Sequence, residues 1–346
     1  MKHFNVIVVG CGKMSTAWID YANRQKEDIS IVGLVDIVEE NARRTAEQFG
    51  LSCSVYTDLG AALNRSNANL VFNVTVPEAH YGVAIKALNS GCDVFGEKPL
   101  MPTFGEAREI IELSEQSGRT YSVMQNRRYT KGARSLRNFL DTQKIGDVGF
   151  VCADFFLAAH FGGFRDVMDN PLILDMAIHH FDTARYITKA DPVSVYCHEF
   201  NPKGSWYKGN AAAVAIFEMS DGSVFSYRGS WCSEGRSTSW EANWDLWASD
   251  GHVNFNGRDL PAYEEILPSK DVQYGGMLYT RDTRKKDVEN TWTGDVGHNG
   301  CLDEMFDALR TGRRSETDSR DNIKSLAMAL KAVESANTGK KIDIHF

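Results

Sequence analysis

At 346 residues the chain exceeds what one ordinary hydrophobic core serves, so two domains are expected. Its 38 basic and 46 acidic side chains leave a net charge of -8, which argues against a nucleic-acid binder, because such proteins need a basic face to displace counterions from phosphate. With 42% hydrophobic and 24% charged residues the composition suits a soluble globular protein, and no apolar run approaches the roughly 20 residues that span a bilayer.

The N-terminus runs straight into strand-like Phe4–Val9 without a leader pattern. Cys11, Cys53, Cys92, Cys152, Cys197, Cys232 and Cys301 are scattered and form no CxxC pair, which suggests a reducing compartment and neither a zinc knuckle nor a redox dithiol. A cytoplasmic protein with no membrane or nucleic-acid partner is the resulting expectation.

In chain order, Phe4–Val9, Ile31–Val35, Leu70–Val74, Asp93–Phe95 and Tyr121–Met124 read as buried strands. Between them Met14–Gln25, Glu39–Phe49, His80–Ser90 and Phe104–Ser117 read as amphipathic helices. This alternation predicts a parallel, doubly wound α/β sheet over residues 1–125. Beyond residue 125 the rhythm changes to consecutive strands, Gly149–Leu157, Pro192–Phe200, Ala211–Met219, Ser223–Trp231 and Glu241–Ser249, with a hairpin turn at Ser220-Asp221-Gly222. One helical segment, near Ile173–Ile187, interrupts them. Residues 126–346 are therefore expected to form a second α/β domain with an open, largely antiparallel sheet. Residues 257–298 read as loops, and Asp321–Asn337 as a terminal helix closed by Gly339, free to pack back on the first domain.

Gly10-Cys11-Gly12-Lys13-Met14-Ser15 follows the first strand and opens the first helix. Glycines there let the backbone approach a pyrophosphate, which the free N–H groups of the helix N-terminus attract. Asp36 ends the second strand about twenty residues on, where a carboxylate accepts hydrogen bonds from ribose hydroxyls. A carboxylate repels a ribose phosphate and the following Ile37 offers it nothing, which favours NAD over NADP. The competing reading of Asp36 is a helix N-cap.

Two further groups suggest chemistry. Glu97-Lys98-Pro99 lies at the carboxyl end of a strand, where Lys98 can polarise a reacting oxygen. Asp175 and His179 stand four apart on a predicted helix and share a face, the imidazole suiting general base work. A metal site on His179, His180 and Asp182 has unconvincing spacing, so no metal is expected. Trp206, Trp231, Trp240, Trp244 and Trp247 concentrate in the second half, as sheet core or as faces for sugar C–H surfaces. Ala159–Phe164, with His160, Phe161 and Phe164, is the candidate substrate loop.

Together these motifs resemble the glucose–fructose oxidoreductase / inositol dehydrogenase / MocA (Gfo/Idh/MocA) family over essentially the whole chain. The residues that carry the resemblance are Gly10–Ser15, Thr75-Val76-Pro77 with His80, Glu97-Lys98-Pro99, Asn126-Arg127-Arg128-Tyr129, Asp175–His179 continuing to Asp182, and the tail from His298 to Gly339. The resemblance implies a Rossmann domain followed by an α/β domain whose open sheet supports a homodimer or homotetramer. It implies an NAD-dependent dehydrogenase acting on a hydroxyl carbon of a sugar, polyol or cyclitol held between the domains. Lys98, Asp175 and His179 match its catalytic group, Thr75, Pro77, His80 and Glu97 its cofactor surroundings beside Gly10, Gly12, Lys13, Met14, Asp36 and Ile37, and Arg128 the mouth of the substrate site. His160, Phe164, Arg128 and His179 are the expected substrate contacts. The departures are Ser15, Ala177 where many relatives have Gly, and Lys131 where proline is common. Rival readings on the same scaffold are an NAD-recycling glycoside-cleaving enzyme, an anhydro-sugar or dihydrodiol oxidoreductase, and a dinucleotide-sensing regulator, against which the presence of Lys98, Asp175 and His179 speaks.

Overall fold

The computed structural model describes residues 3–267, 273–275 and 278–346. These divide into two compact units, residues 1–126 with 295–326, and residues 127–294 with 327–346.

The first unit begins with β1 (Phe4–Val9), α1 (Ser15–Arg24), β2 (Ile29–Val35), α2 (Glu39–Phe49), β3 (Ser54–Tyr56) and α3 (Leu59–Arg65). It continues with β4 (Leu70–Asn73), α4 (His80–Asn89), β5 (Asp93–Gly96), α5 (Phe104–Ser117) and β6 (Tyr121–Val123). The six strands lie in the order β3-β2-β1-β4-β5-β6, every pair parallel. Strands β1, β4 and β5 are almost entirely buried, as expected of a sheet covered on both faces. The strand order reverses at β1 and β4, and ligands bind such sheets outside the carboxyl ends at that point. Strand β3 and helix α3 escape the sequence reading because each is very short and only partly apolar, although Asp58 caps α3 through the amide of Ala61.

The second unit contains α6 (Lys131–Asp141), β7 (Val148–Phe156), the single turn α7 (Phe164–Val167), a π-helical turn at Leu172–Ala177, and α8 (Ile178–Thr188). The strands β8 (Pro192–Phe200), β9 (Ala212–Met219), β10 (Val224–Ser230), β11 (Asn243–Ala248), β12 (Gly251–Phe255) and β13 (Ala262–Ile266) follow, then a separate antiparallel pair of β14 (Gln273–Gly275) and β15 (Leu278–Thr280), and β16 (Thr283–Asp287). With the terminal β17 (Ile342–Asp343) they make a nine-stranded sheet ordered β16-β13-β12-β11-β7-β10-β9-β8-β17. Every pair is antiparallel except β7 with β10.

One face of this sheet is a core. Phe181 of α8 packs on Phe217 and Tyr227, and Trp244 stacks on Phe225. The other face is open and mixes exposed apolar side chains with ion pairs such as Arg228–Asp154. Phe150 pairs with Trp247 across β7 and β11, and Tyr196 with Ile216 across β8 and β9, all four at least 40% exposed.

Two expectations for this half need correcting. Residues 257–298 are not simply loop, for β13 and β16 complete the sheet there; positions 268–272 and 276–277 lie outside the described residues. Strand β16 is fully exposed and carries Arg284, Lys285 and Lys286, a charged edge that hides its strand character and resists pairing with other chains. Helix α6 was also unread, because its buried side includes Arg134, Ser135 and Arg137. The Arg134 guanidinium lies over Tyr129, Trp292 and Tyr186 at 4.1–5.0 Å, and Arg137 donates to the carbonyl of Ile187.

The chain then supplies α9 (Gly297–Thr311) and α10 (Ser319–Thr338), the latter followed by Gly339 at φ 65°. From α9, Phe306 enters the aromatic core of the first unit against Phe4, Phe72 and Phe95. No helix among the described residues is long and apolar enough to cross a membrane.

Candidate active site

At the carboxyl end of β1 the backbone must turn sharply beside β4. Gly10 has φ 89°, and a Cβ on it would lie 2.5 Å from the carbonyl oxygen of Val74. Only glycine fits. Nothing lies within 4 Å of a Cβ built on Gly12, so that side of the turn stays open to a ligand. Ser15 is 1% exposed and its hydroxyl donates to the Gly12 carbonyl at 2.7 Å, so the departure from the usual small residue braces the turn. Met14 precedes α1 without a side-chain cap, the amides of Ser15 and Thr16 donate to the carbonyls of Gly12 and Lys13 at 3.1 and 3.4 Å, and Lys13 is exposed.

The carboxylate of Asp36 accepts the amide of Cys11 at 2.9 Å, the amide of Val38 at 2.9 Å and the side chain of Asn41 at 3.3 Å. Helix α2 is preceded by Val38, not Asp36, and lacks a side-chain cap. Asp36 thus ties the glycine turn to the end of β2 and keeps acceptor capacity for ribose hydroxyls. Ile37 next to it is 91% exposed. The arrangement fits a dinucleotide: open glycine backbone, an uncapped helix start and a carboxylate at the second strand.

The neighbouring loops interlock. Thr75 donates to the side chain of Asn73 at 2.7 Å, and Pro77 starts a 3₁₀ turn that leads into α4. His80 is fully buried, with Nδ1 2.8 Å from the carbonyl of Pro99 and Nε2 3.2 Å from that of Thr75. Burial pushes its pKa down. It joins the Thr75 and Lys98–Pro99 loops. Glu97 is 8% exposed and accepts the indole N–H of Trp18 at 2.9 Å. Lys98 is half-buried and joined to Pro99 by a cis peptide bond.

In the second unit, Asp175 lies in the π turn and His179 in the first turn of α8. Wide π turns inside helices occur frequently at functional sites. His179 is 7% exposed, and its carbonyl accepts the Thr183 hydroxyl. Asp175 receives Nε of Arg165 at 2.6 Å. Gly162 and Gly163, both at φ 70°, turn the preceding loop so that Phe161 and Phe164 are about half exposed beside Arg165. His160 stacks on Trp206 with ring centroids 3.7 Å apart.

The remaining titratable residues of this helix are structural. His180 is buried against Phe155 with Nε2 3.0 Å from the carbonyl of Trp240, and burial pushes its pKa down to about 3. Asp182 is fully buried and receives Nε and Nη2 of Arg128 at 2.6 and 2.7 Å. Such a bidentate pair satisfies two charges that neither could keep alone at that depth. At 5% exposure the Arg128 fork grips α8. The same contacts set aside a metal site on His179, His180 and Asp182. Of the tryptophans, Trp231 and Trp244 are core, whereas Trp240 and Trp247 are partly exposed.

A sequence profile described as the oxidoreductase family with an NAD-binding Rossmann fold matches residues 4–125, and the C-terminal domain profile of the same Gfo/Idh/MocA family matches residues 133–253. The chain belongs to the Gfo/Idh/MocA family. It is an NAD-binding oxidoreductase. An uncharacterised protein, y4oX, of Sinorhizobium fredii is 25% identical over 99% of this chain and 96% of its own length. Inositol 2-dehydrogenase of Salmonella typhimurium is 27% identical over 55% of this chain and 56% of its own, so the chain spans about half the length of that relative. Among solved structures, an oxidoreductase from Agrobacterium radiobacter in complex with NAD+, L-tartaric acid and magnesium superposes with a TM-score of 0.84 at 19% identity, over 99% of this chain and 98% of that one.

For this oxidoreductase the sequence reading missed two residues. Asn126 meets Nδ1 of His298 at 3.2 Å, and Nε2 of His298 lies 3.9 Å from Glu97. His298 comes from the first turn of α9, some 200 positions from Glu97, and only its place in the family-like tail hinted at it. Arg165 had no motif at all. An open surface groove lined by Ala17, Asp20, Asn23, Arg24, Val296, His298 and Asn299 contains none of the predicted site residues.

Proposed function

We propose that this oxidoreductase transfers hydride between NAD and a hydroxyl-bearing carbon of a sugar, polyol or cyclitol, in the manner of an inositol dehydrogenase. The observation that carries the reading is His179: an almost buried imidazole, four residues after Asp175 on one helical run, where Asp175 is ion-paired to Arg165 of a loop with half-exposed aromatic rings.

NAD, when bound, supplies the hydride acceptor. Gly10, Gly12, Lys13 and Met14 hold its pyrophosphate at the start of α1, Asp36 takes ribose hydroxyls, and Ile37 lies beside them. Thr75, Pro77 and Glu97 line or brace its path, with His80 behind them. The proposed division of labour then follows from chemistry. In the oxidative direction His179 takes the hydroxyl proton, so that the carbon loses a hydride and the oxygen becomes a carbonyl. Lys98 Nζ stabilises the negative charge that develops on that oxygen, and Asp175 steadies the imidazolium. His160, Phe161 and Phe164 offer flat rings to the apolar faces of a sugar ring. Asp36 and Ile37 favour NAD over NADP, because a carboxylate repels a ribose phosphate.

We further propose self-association through the open face of the second sheet, where Phe150, Tyr196, Ile216 and Trp247 are exposed. Sedimentation of wild type against Trp247→Lys tests this; a monomer at all concentrations for both overturns it.

The direct test of function is the absorbance of reduced nicotinamide when the protein meets NAD+ with aldoses, inositols and anhydro sugars, and a parallel set with NADP+. Turnover with a group of polyols, faster with NAD+, supports the reading. Sugar cleavage without net reduction points to the recycled-cofactor glycosidase, and binding without any chemistry to a sensor.

A further inference from the structure

We infer that Arg165 is a positioning residue for the proton-transferring pair, holding Asp175 in one orientation from the aromatic loop. The inference rests on the dehydrogenase reading of Asp175 and His179. No motif marks Arg165, and its part emerges from four observations.

Its Nε lies 2.6 Å from Oδ2 of Asp175, and the two side chains are 27% and 12% exposed. A charge-assisted bond this short and this sheltered is worth more than a surface ion pair, which water screens. Its guanidinium is also clamped, 4.6 Å from the ring centroid of Phe164 and 5.1 Å from that of Phe161. A flat cation held on two rings loses little further freedom when it bonds a carboxylate. Gly162 and Gly163 impose the turn that carries Phe161, Phe164 and Arg165 over the helix. Finally, Asp175 lies in the π turn, where helix geometry is least regular and an external partner has most to fix.

Together these make the loop a second support for the helical run that carries His179. A carboxylate held in one orientation stabilises the imidazolium that forms as the proton moves better than a rotating one does. Arg165 need not touch substrate for this, and its effect should appear in kcat more than in KM.

The test compares Arg165→Met, Asp175→Asn and the double variant in NAD+-dependent oxidation of whichever polyol the wild type accepts. Arg165→Met should lower kcat about tenfold or more, within the coupling range of contacting residues, with KM little changed and NAD+ affinity unchanged. In the Asp175→Asn background the same change should cost almost nothing. Arg165→Lys, which returns a cation without the planar fork, should recover part of the loss. Equal losses in both backgrounds mean that Arg165 acts independently of Asp175 and overturn the inference, as does a Lys variant no better than Met. If the Met variant does not fold, Arg165→Gln takes its place in the cycle. A wild type inactive toward every polyol removes the dehydrogenase reading and this inference with it. An active wild type matched by Arg165→Met removes the inference alone.

Discussion

The glycine turn after β1 and the helical run around Asp175 are both places where chemistry is proposed, yet they are built on opposite principles. The turn works through backbone: Gly10 is compelled by the Val74 carbonyl 2.5 Å from where its Cβ would be, and the side of Gly12 is open. The helical run works through side chains, and each is set by a partner outside the helix, ten residues away for Asp175 and more than fifty for His180 and Asp182. Asp175 is held by Arg165, Asp182 by Arg128, and His180 by the carbonyl of Trp240. A site made of backbone writes itself into sequence as glycine spacing. A site made of paired side chains writes only half of each pair into any one motif.

The contrast can be broken experimentally. The largest expected effect is on His179→Ala, which should lose roughly 10²–10⁴ in turnover while binding NAD+ as wild type does in a fluorescence titration. Loss of cofactor binding as well would show that the two regions are not separable. Next comes Gly10→Ala, which should abolish NAD+ binding and cost on the order of 1–3 kcal/mol in a thermal melt, the strain of a forced positive φ. Gly12→Ala should leave the melt untouched and weaken only NAD+ binding, because nothing lies within 4 Å of its added carbon. If both glycine variants melt alike, the backbone argument for Gly10 is wrong.

A smaller effect should come from Glu199, buried on β8 and bonded to Asn170 just before the π turn. Burial pushes its pKa up to about 7. Because the folded-state pKa is raised, its contribution is complete below the ordinary carboxylate value and is lost as pH climbs from about 4.5 through about 7. Glu199→Gln should therefore match wild type in acid and become more stable than it by neutral pH, by on the order of 2 kcal/mol; denaturant midpoints that stay parallel across that range would refute this. The smallest is Ser15→Ala, which should cost about 0.5–1.5 kcal/mol, one hydrogen bond to Gly12, without altering kcat.

Legibility followed the same division. The buried strands β1, β4 and β5 are short apolar runs between helices, so the parallel sheet could be read locally. The hairpin at Ser220–Gly222 was equally plain, and the structure pairs β9 with β10 there, with Gly222 at φ 84°. Helix α6 was opaque, since Arg134 and Arg137 look like solvent-facing residues until Tyr129, Trp292 and the Ile187 carbonyl are brought to them. His80 and Arg128 were placed near the site by resemblance, and their partners, the carbonyls of Pro99 and Thr75 and the carboxylate of Asp182, could not be read from any motif.

The sequence by itself therefore determined the two-part plan, the glycine turn, Asp36 at the end of β2, and the Asp175–His179 spacing, because each depends on neighbours within a few residues or on one strand–helix–strand repeat. Tertiary structure alone decided that Ser15 braces its turn, that Asp175 is paired to Arg165, that His180 is a neutral core histidine, and that His298 stands by Glu97. His180 and His298 depend on partners distant in the chain, Ser15 and Asp175 on nearer ones that no motif marks, and a charged or polar side chain takes its role from the partner it meets when water is removed.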